Sequence, residues 1–143
     1  MVAGPRHRGR ALALQLLYQL DARALIGSGE DVDIEAELAQ QRACFEDIVS
    51  NEALLFAREL CEGVSAELSR VDGAIEAAAA NWRLSRMDLV DRNVLRLATW
   101  ELMRADVPAG AVINEAVELA KRYGSAKSGS FVNGVLDKVA RSL

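Results

Sequence analysis

"SGSFVNGVLDKVARSL", residues 128–143, admits two readings, and the choice between them decides the fold. Asn133-Gly134 is the dipeptide favoured at the tip of a two-residue β-hairpin, where both central residues take positive φ. Yet Phe131, Val132, Val135, Leu136 and Val139 recur at one, four, five and eight residues, which gathers them on one side of a helix. A hairpin would need alternation with period two on both flanks of the turn, and neither flank has it. The stretch therefore reads as an amphipathic helix.

The same period runs through the rest of the chain. Leu12, Leu16 and Leu20, with Leu14, Leu17 and Tyr18, predict a helix over 9–25, and the turn-rich "GSGEDVD" (27–33) ends it. Residues 34–45 predict a weaker helix. From Asn51, Leu54, Leu55, Ala57, Leu60 and Val64 fall on one side, with Gly63 marking a break or a close contact, and Leu68, Val71, Ile75 and four alanines continue the pattern. Ser85, three residues before Asp88, stands where an N-cap is expected, and Val90, Val94, Leu97, Ala98 and Leu102 follow. Pro108 and Gly110 are expected to close that helix. Gly124 is expected to close the next one in the left-handed conformation. With no credible strand, the fold class is all-α: a compact bundle of six or seven helices in a single domain, 1–143, preceded by a flexible basic arm at about 1–8.

Composition excludes much chemistry. The 143 residues hold one histidine, His7, so neither a Ser/His/Asp triad nor a histidine metal site can be assembled. Cys44 and Cys61 show no CxxC spacing and read as buried thiols of a reducing compartment. "GSG" (27–29) follows a helix and lacks the lysine of a phosphate loop. Glu115 and Glu118 share a helix face that water would solvate. Trp82 and Trp100 sit in apolar helical contexts and read as core. No apolar run is long enough for a membrane span. The expectation is a cytoplasmic, non-catalytic protein with no cofactor, no metal and no membrane contact.

Charge is unevenly distributed along the chain. Residues 1–23 carry a net +3 and residues 121–143 a net +4, which leaves −11 between them out of a total of −4. Such asymmetry suggests two surfaces with different partners, a basic one for a polyanion and an acidic one for something cationic; the alternative is that the charges simply solvate helix faces. At 100° per residue, Lys138 lies about 20°, Lys127 about 40°, Gly134 about 60° and Arg141 about 80° to one side of Phe131. An aromatic ring bordered by cations is how single-stranded nucleic acid is held, with bases on the ring and phosphates on the charges. The alternative places Phe131 at the edge of the core, with the cations complementing the helix C-terminus. At the other end, Arg6, Arg8 and Arg10 lead into the helix bearing Tyr18. Together the two ends suggest one composite RNA surface.

Four stretches, "RALALQLLYQLD" (10–21), "VDRNVLRLATWEL" (90–102), "VPAGAVINEAVELAKRYG" (107–124) and "SGSFVNGVLDKV" (128–139), resemble, in order, the bacterial NusB antitermination family. The resemblance implies an all-α RNA-binding factor that pairs with NusE, a small-subunit ribosomal protein, to bind boxA-type single-stranded RNA in nascent ribosomal transcripts within the RNA polymerase antitermination complex. It further implies RNA contacts at Arg6, Arg8, Arg10, Tyr18 and Phe131, to which the helix wheel adds Lys127 and Lys138, and a NusE-facing surface at Asp91, with Arg92 and Arg96 nearby. His7 and Gly9 interrupt the arginine arm, and Lys127 stands where some relatives are acidic. The sequence leaves open a homodimer of the free chain, a fragment of an RNA cytosine methyltransferase and a purely structural scaffold.

Overall fold

The computed structural model of the protein describes residues 4–43 and 49–143. Among these residues there are seven α-helices, α1 (Pro5–Ala22), α2 (Ile34–Ala43), α3 (Asn51–Ala66), α4 (Leu68–Ala78), α5 (Leu89–Arg104), α6 (Ala109–Tyr123) and α7 (Ser128–Ser142), and no strand. Helical period therefore does override the Asn-Gly signal: Val132, Val135, Leu136 and Val139 line the buried side of α7 while Asn133 and Gly134 are exposed. Cys44 and the expected end of the second helix at Phe45 lie outside the described residues. The chain divides into two compact units, residues 1–66 and 67–143.

In the first unit α1 packs on α3, and α2 lies against both. Pro5 starts α1 at the position where a missing N–H costs nothing. The helix thus begins before Arg6, so residues 5–8, expected in a flexible arm, are its first turn; residues 1–3 lie outside the described residues. Polar side chains supply the other starts: Asp33 Oδ1 accepts from the Ala36 N–H at 3.0 Å and Ser50 Oγ from the Ala53 N–H at 3.1 Å. Leu16, Leu17, Leu20 and Leu60 are fully buried, each worth about 1.5–3 kcal/mol. Gly9 sets the approach of α1 to α3, because a Cβ there would stand 2.9 Å from both the Ala53 carbonyl oxygen and the Phe56 ring. Leu55, expected on the apolar side of α3, is 66% exposed. It follows Leu54 by one residue, and so lies about 100° round the helix from it.

In the second unit α4, α6 and α7 all pack on α5, and α7 also packs on α4 and α6. Every residue of α5 from Asn93 to Leu102 is buried. That burial includes Arg96, which donates from Nε and Nη2 to the two carboxylate oxygens of Asp72 on α4, at 2.9 and 3.2 Å, and from Nη1 to Asn93 Oδ1 at 3.0 Å.

Three boundary expectations change. The N-cap of α5 is Asp88, because Ser85 falls inside a single 3-10 turn, Leu84–Arg86. Ala105, at φ 58°, closes α5 in the left-handed conformation, while Pro108 caps the start of α6 and Gly110 lies within it. Gly124 is extended, not left-handed. It is required for space instead, since a Cβ would fall 2.4 Å from Ser128 Oγ and 2.7 Å from the Ala120 carbonyl oxygen.

Replacing Gly9 with alanine should destabilise the protein by about 1–3 kcal/mol, as overpacking at a close helix contact does, read from the urea midpoint. Ala105→Gly should stabilise the protein by about 1 kcal/mol, read as a higher urea midpoint, because glycine enters the left-handed region without the penalty alanine carries.

Candidate nucleic-acid interface

On α1 the arginines are not equivalent. Arg6 and Arg10, one turn apart, both lie over the Phe56 ring of α3, their guanidinium carbons 5.0 and 5.2 Å from its centroid. A cation over an aromatic face is attracted by the ring's electron density. Arg6 and Arg8 are exposed, whereas Arg10 is only 6% exposed. Arg8 makes no ion pair among the described residues. Tyr18, 40% exposed, lies ten residues, about 15 Å, along the helix from Arg8. This end of the first unit thus presents two accessible cations and, farther along, an aromatic ring. The ring that holds Arg6 and Arg10, Phe56, was not legible as part of the group. Its only sequence signal is the small Gly9 between two arginines, which marks a close neighbour.

On α7 the helix starts at Ser128, with Lys127 just ahead of it as the N-cap residue. Lys127 and Lys138 are exposed and make no ion pair among the described residues, while Arg141 is paired with Asp137 one turn back. Phe131 is half-buried. Its ring meets that of Trp82 at 5.9 Å between centroids and 72° between planes. Trp82, expected in the core, is 55% exposed, whereas Trp100 is 5% exposed and carries the Arg104 guanidinium over its ring at 4.9 Å. The difference is positional: Trp100 lies in buried α5, while Trp82 follows the end of α4. Gly134 is open, since a Cβ there would meet nothing within 4 Å. Lys121 joins this end of the unit, its aliphatic stem filling the space beside Gly129.

The three residues expected to face a protein partner are placed differently from one another. Asp91, in the first turn of α5, is 8% exposed and accepts a hydrogen bond from the Ser128 side chain at the start of α7; its Oδ1 has no partner among the described residues. Burial raises the Asp91 pKa above the ordinary carboxylate value, partly opposed by the Ser128 hydrogen bond, with Asp88 adding to the rise. Arg92 is half-buried, on the wall of a cleft of about 700 Å³ that Glu76, Arg83, Leu84, Ser85 and Arg96 also line. Arg96 is engaged internally with Asp72 and Asn93, so its charge orients α4 on α5.

Among the described residues no three His, Cys, Asp or Glu side chains could hold a metal ion, and no helix is long and apolar enough to cross a membrane. Cys61 is fully buried, and burial pushes its thiol up to about 12, so it stays protonated and unreactive at neutral pH.

The NusB family model matches residues 7–141. This chain belongs to the NusB family. It is 52% identical over 138 residues to the transcription antitermination protein NusB of Anaeromyxobacter dehalogenans strain 2CP-1, covering 96% of this chain and 92% of that one. The NusB of Myxococcus xanthus is 46% identical over 143 residues, covering 98% and 97%. Among solved structures, Thermotoga maritima NusB superposes with a TM-score of 0.81 at 38% identity, over 98% of this chain and 93% of that one. A NusB solved with NusE and double-stranded RNA superposes at 0.79 with 30% identity, over 97% and 98%. The NusB family consists of non-catalytic transcription antitermination factors, and the expectation of a non-enzyme holds on that ground.

Asp91 gives a test by pH. Its folded pKa lies above its unfolded one, so in the window between them the folded state binds the extra proton, and stability falls as pH rises through that window. Asp91→Asn should abolish that fall and raise the melting temperature at pH 7, measured by thermal melts between pH 3.5 and about 8.

Proposed function

We propose that the chain binds boxA-type single-stranded RNA through two groups of side chains, Arg6, Arg8 and Tyr18 in the first unit and Lys127, Phe131 and Lys138 in the second. It does so as the partner of NusE, within the RNA polymerase antitermination complex. The observation that carries this reading is Phe131 held at the edge of the exposed cationic side of α7. A ring with a base-sized face beside unpaired cations matches unstacked nucleotides better than a duplex, whose bases offer no free faces. The related NusB solved with NusE and double-stranded RNA supports nucleic acid and NusE as ligands. It also makes a duplex the comparison that the binding experiment must include.

Arg10 belongs to this surface by position more than by contact: little of it reaches solvent, and its place over Phe56 keeps it beside Arg6. Asp91 serves the protein partner. One of its carboxylate oxygens has no donor, and a local shift that uncovered it would offer an acceptor to a basic protein such as NusE. Arg92 borders the same contact, and Arg96 acts behind it by fixing α4 on α5.

Fluorescence anisotropy of labelled boxA RNA, scrambled RNA and a duplex, with and without NusE, tests the reading. Preference for the single-stranded boxA RNA that strengthens with NusE is the expected result; equal, weak binding of all three removes it. Alanine at Tyr18 or Phe131 should cost about 1–3 kcal/mol of RNA affinity. Arg6→Ala with Arg8→Ala should lower the salt slope by about 1.4, at about 0.7 per single-strand phosphate. Gly134→Ala should stabilise α7 by about 0.5–1 kcal/mol while weakening RNA binding, opposite signs that a purely structural glycine would not give.

A further inference from the structure

Trp82 has no role in the surface just described, yet it is the more exposed ring of an aromatic pair with Phe131. A large indole 55% open to water exposes apolar area that burial would stabilise, and here the opening leads into a cleft. That cleft, of about 470 Å³, is lined by Glu76, Asn81, Trp82, Arg83 and Arg86 together with alanines at the end of α4. Its volume lies in the range of pockets that hold small organic ligands. Neither Arg83 nor Arg86 makes an ion pair among the described residues. Arg83 also lines the adjoining 700 Å³ cleft with Arg92, so cationic side chains continue from one hollow into the next.

We infer that Trp82 is a second base-stacking platform, adjacent to Phe131, and that the cleft beside it accepts the next nucleotide of a single-stranded RNA. The inference rests on the RNA reading above and extends it to a residue outside that surface. The two rings stand at 72°, so no single base can lie flat on both; consecutive bases must be splayed, one on each ring. Only an unpaired strand permits this. Charge sorts the rest of the nucleotide. Glu76 would repel a phosphate but accept a hydrogen bond from an exocyclic amino group, and Asn81 offers both donor and acceptor to a base edge. The base therefore enters the cleft, and the phosphates lie over Arg83 and Arg86, where planar guanidinium forks match their oxygens.

The experiment uses the full chain and single-stranded boxA RNA. The protein has two tryptophans, one of them buried, so Trp100→Phe leaves Trp82 as the sole reporter of indole emission. Saturating RNA should quench that emission through stacking. Trp82→Leu, which keeps apolar packing for Phe131 but removes the ring, should lower affinity about five- to 150-fold, the span of about 1–3 kcal/mol per stacked base at 1.4 kcal/mol per decade. Trp82→Phe should restore most of the loss, a rescue that mere support of Phe131 would not require. Unquenched emission at saturation overturns the inference, as does a folded Trp82→Leu protein within about twofold of the parent. If the parent binds no RNA by anisotropy, the RNA reading falls as well; if it binds while Trp82 stays silent, only this inference falls.

Discussion

A helix buried along most of its length has nowhere to place a charge except against another polar group. In α5 that constraint organises the second unit. Arg96, almost wholly removed from water, meets Asp72, which fixes α4. Asp91, in the first turn of the same helix, meets Ser128, which fixes the start of α7. The two rings proposed to face RNA hang from these two ties, Trp82 just beyond α4 and Phe131 one turn into α7. Polar side chains within the core thus set the spacing of aromatic side chains at its edge. Breaking the Arg96–Asp72 pair would displace the surface without touching it.

The first unit reaches a similar end by other means. Its helices meet through apolar packing and one close contact at Gly9, and the same contact places Phe56 under Arg6 and Arg10. Gly9, which the sequence presents as an interruption of an arginine run, is what lets the run lie on a ring. A second tight glycine is Gly124, whose backbone leaves room for Ser128. Ser128 Oγ in turn accepts the Ser125 N–H at 2.9 Å and its side chain bonds Asp91.

Much of this was legible before the fold was known. Periodicity gave an all-α chain of six or seven helices and resolved Asn133-Gly134 correctly, because five apolar residues at helical spacing outweigh one turn dipeptide; the break it allowed at Gly63 falls instead between Ala66 and Leu68. Phe131, Tyr18 and the cations near them were singled out as candidates from the wheel and from family resemblance. What escaped were the features that depend on neighbours distant in sequence. Phe56 looks like any apolar residue of an amphipathic helix until the arginines arrive from α1. Trp82 resembles a core residue until α4 is seen to stop short of it. Gly124 looks like a left-handed cap because that is the common use of glycine after a helix, whereas steric room is the use made of it here. Ala105, with no glycine or asparagine to announce it, takes the left-handed position without a signal.

The ring of Phe56 bears on timing as well as on geometry. A long arginine side chain free in water must surrender rotamer freedom when it settles on a phosphate. In the proposed RNA complex Arg6, already resting on an aromatic face, would have less to surrender, and the complex would gain residence time from the ring beneath it. A survey confined to side chains that touch RNA would pass over Phe56 and attribute its effect to the arginine above it.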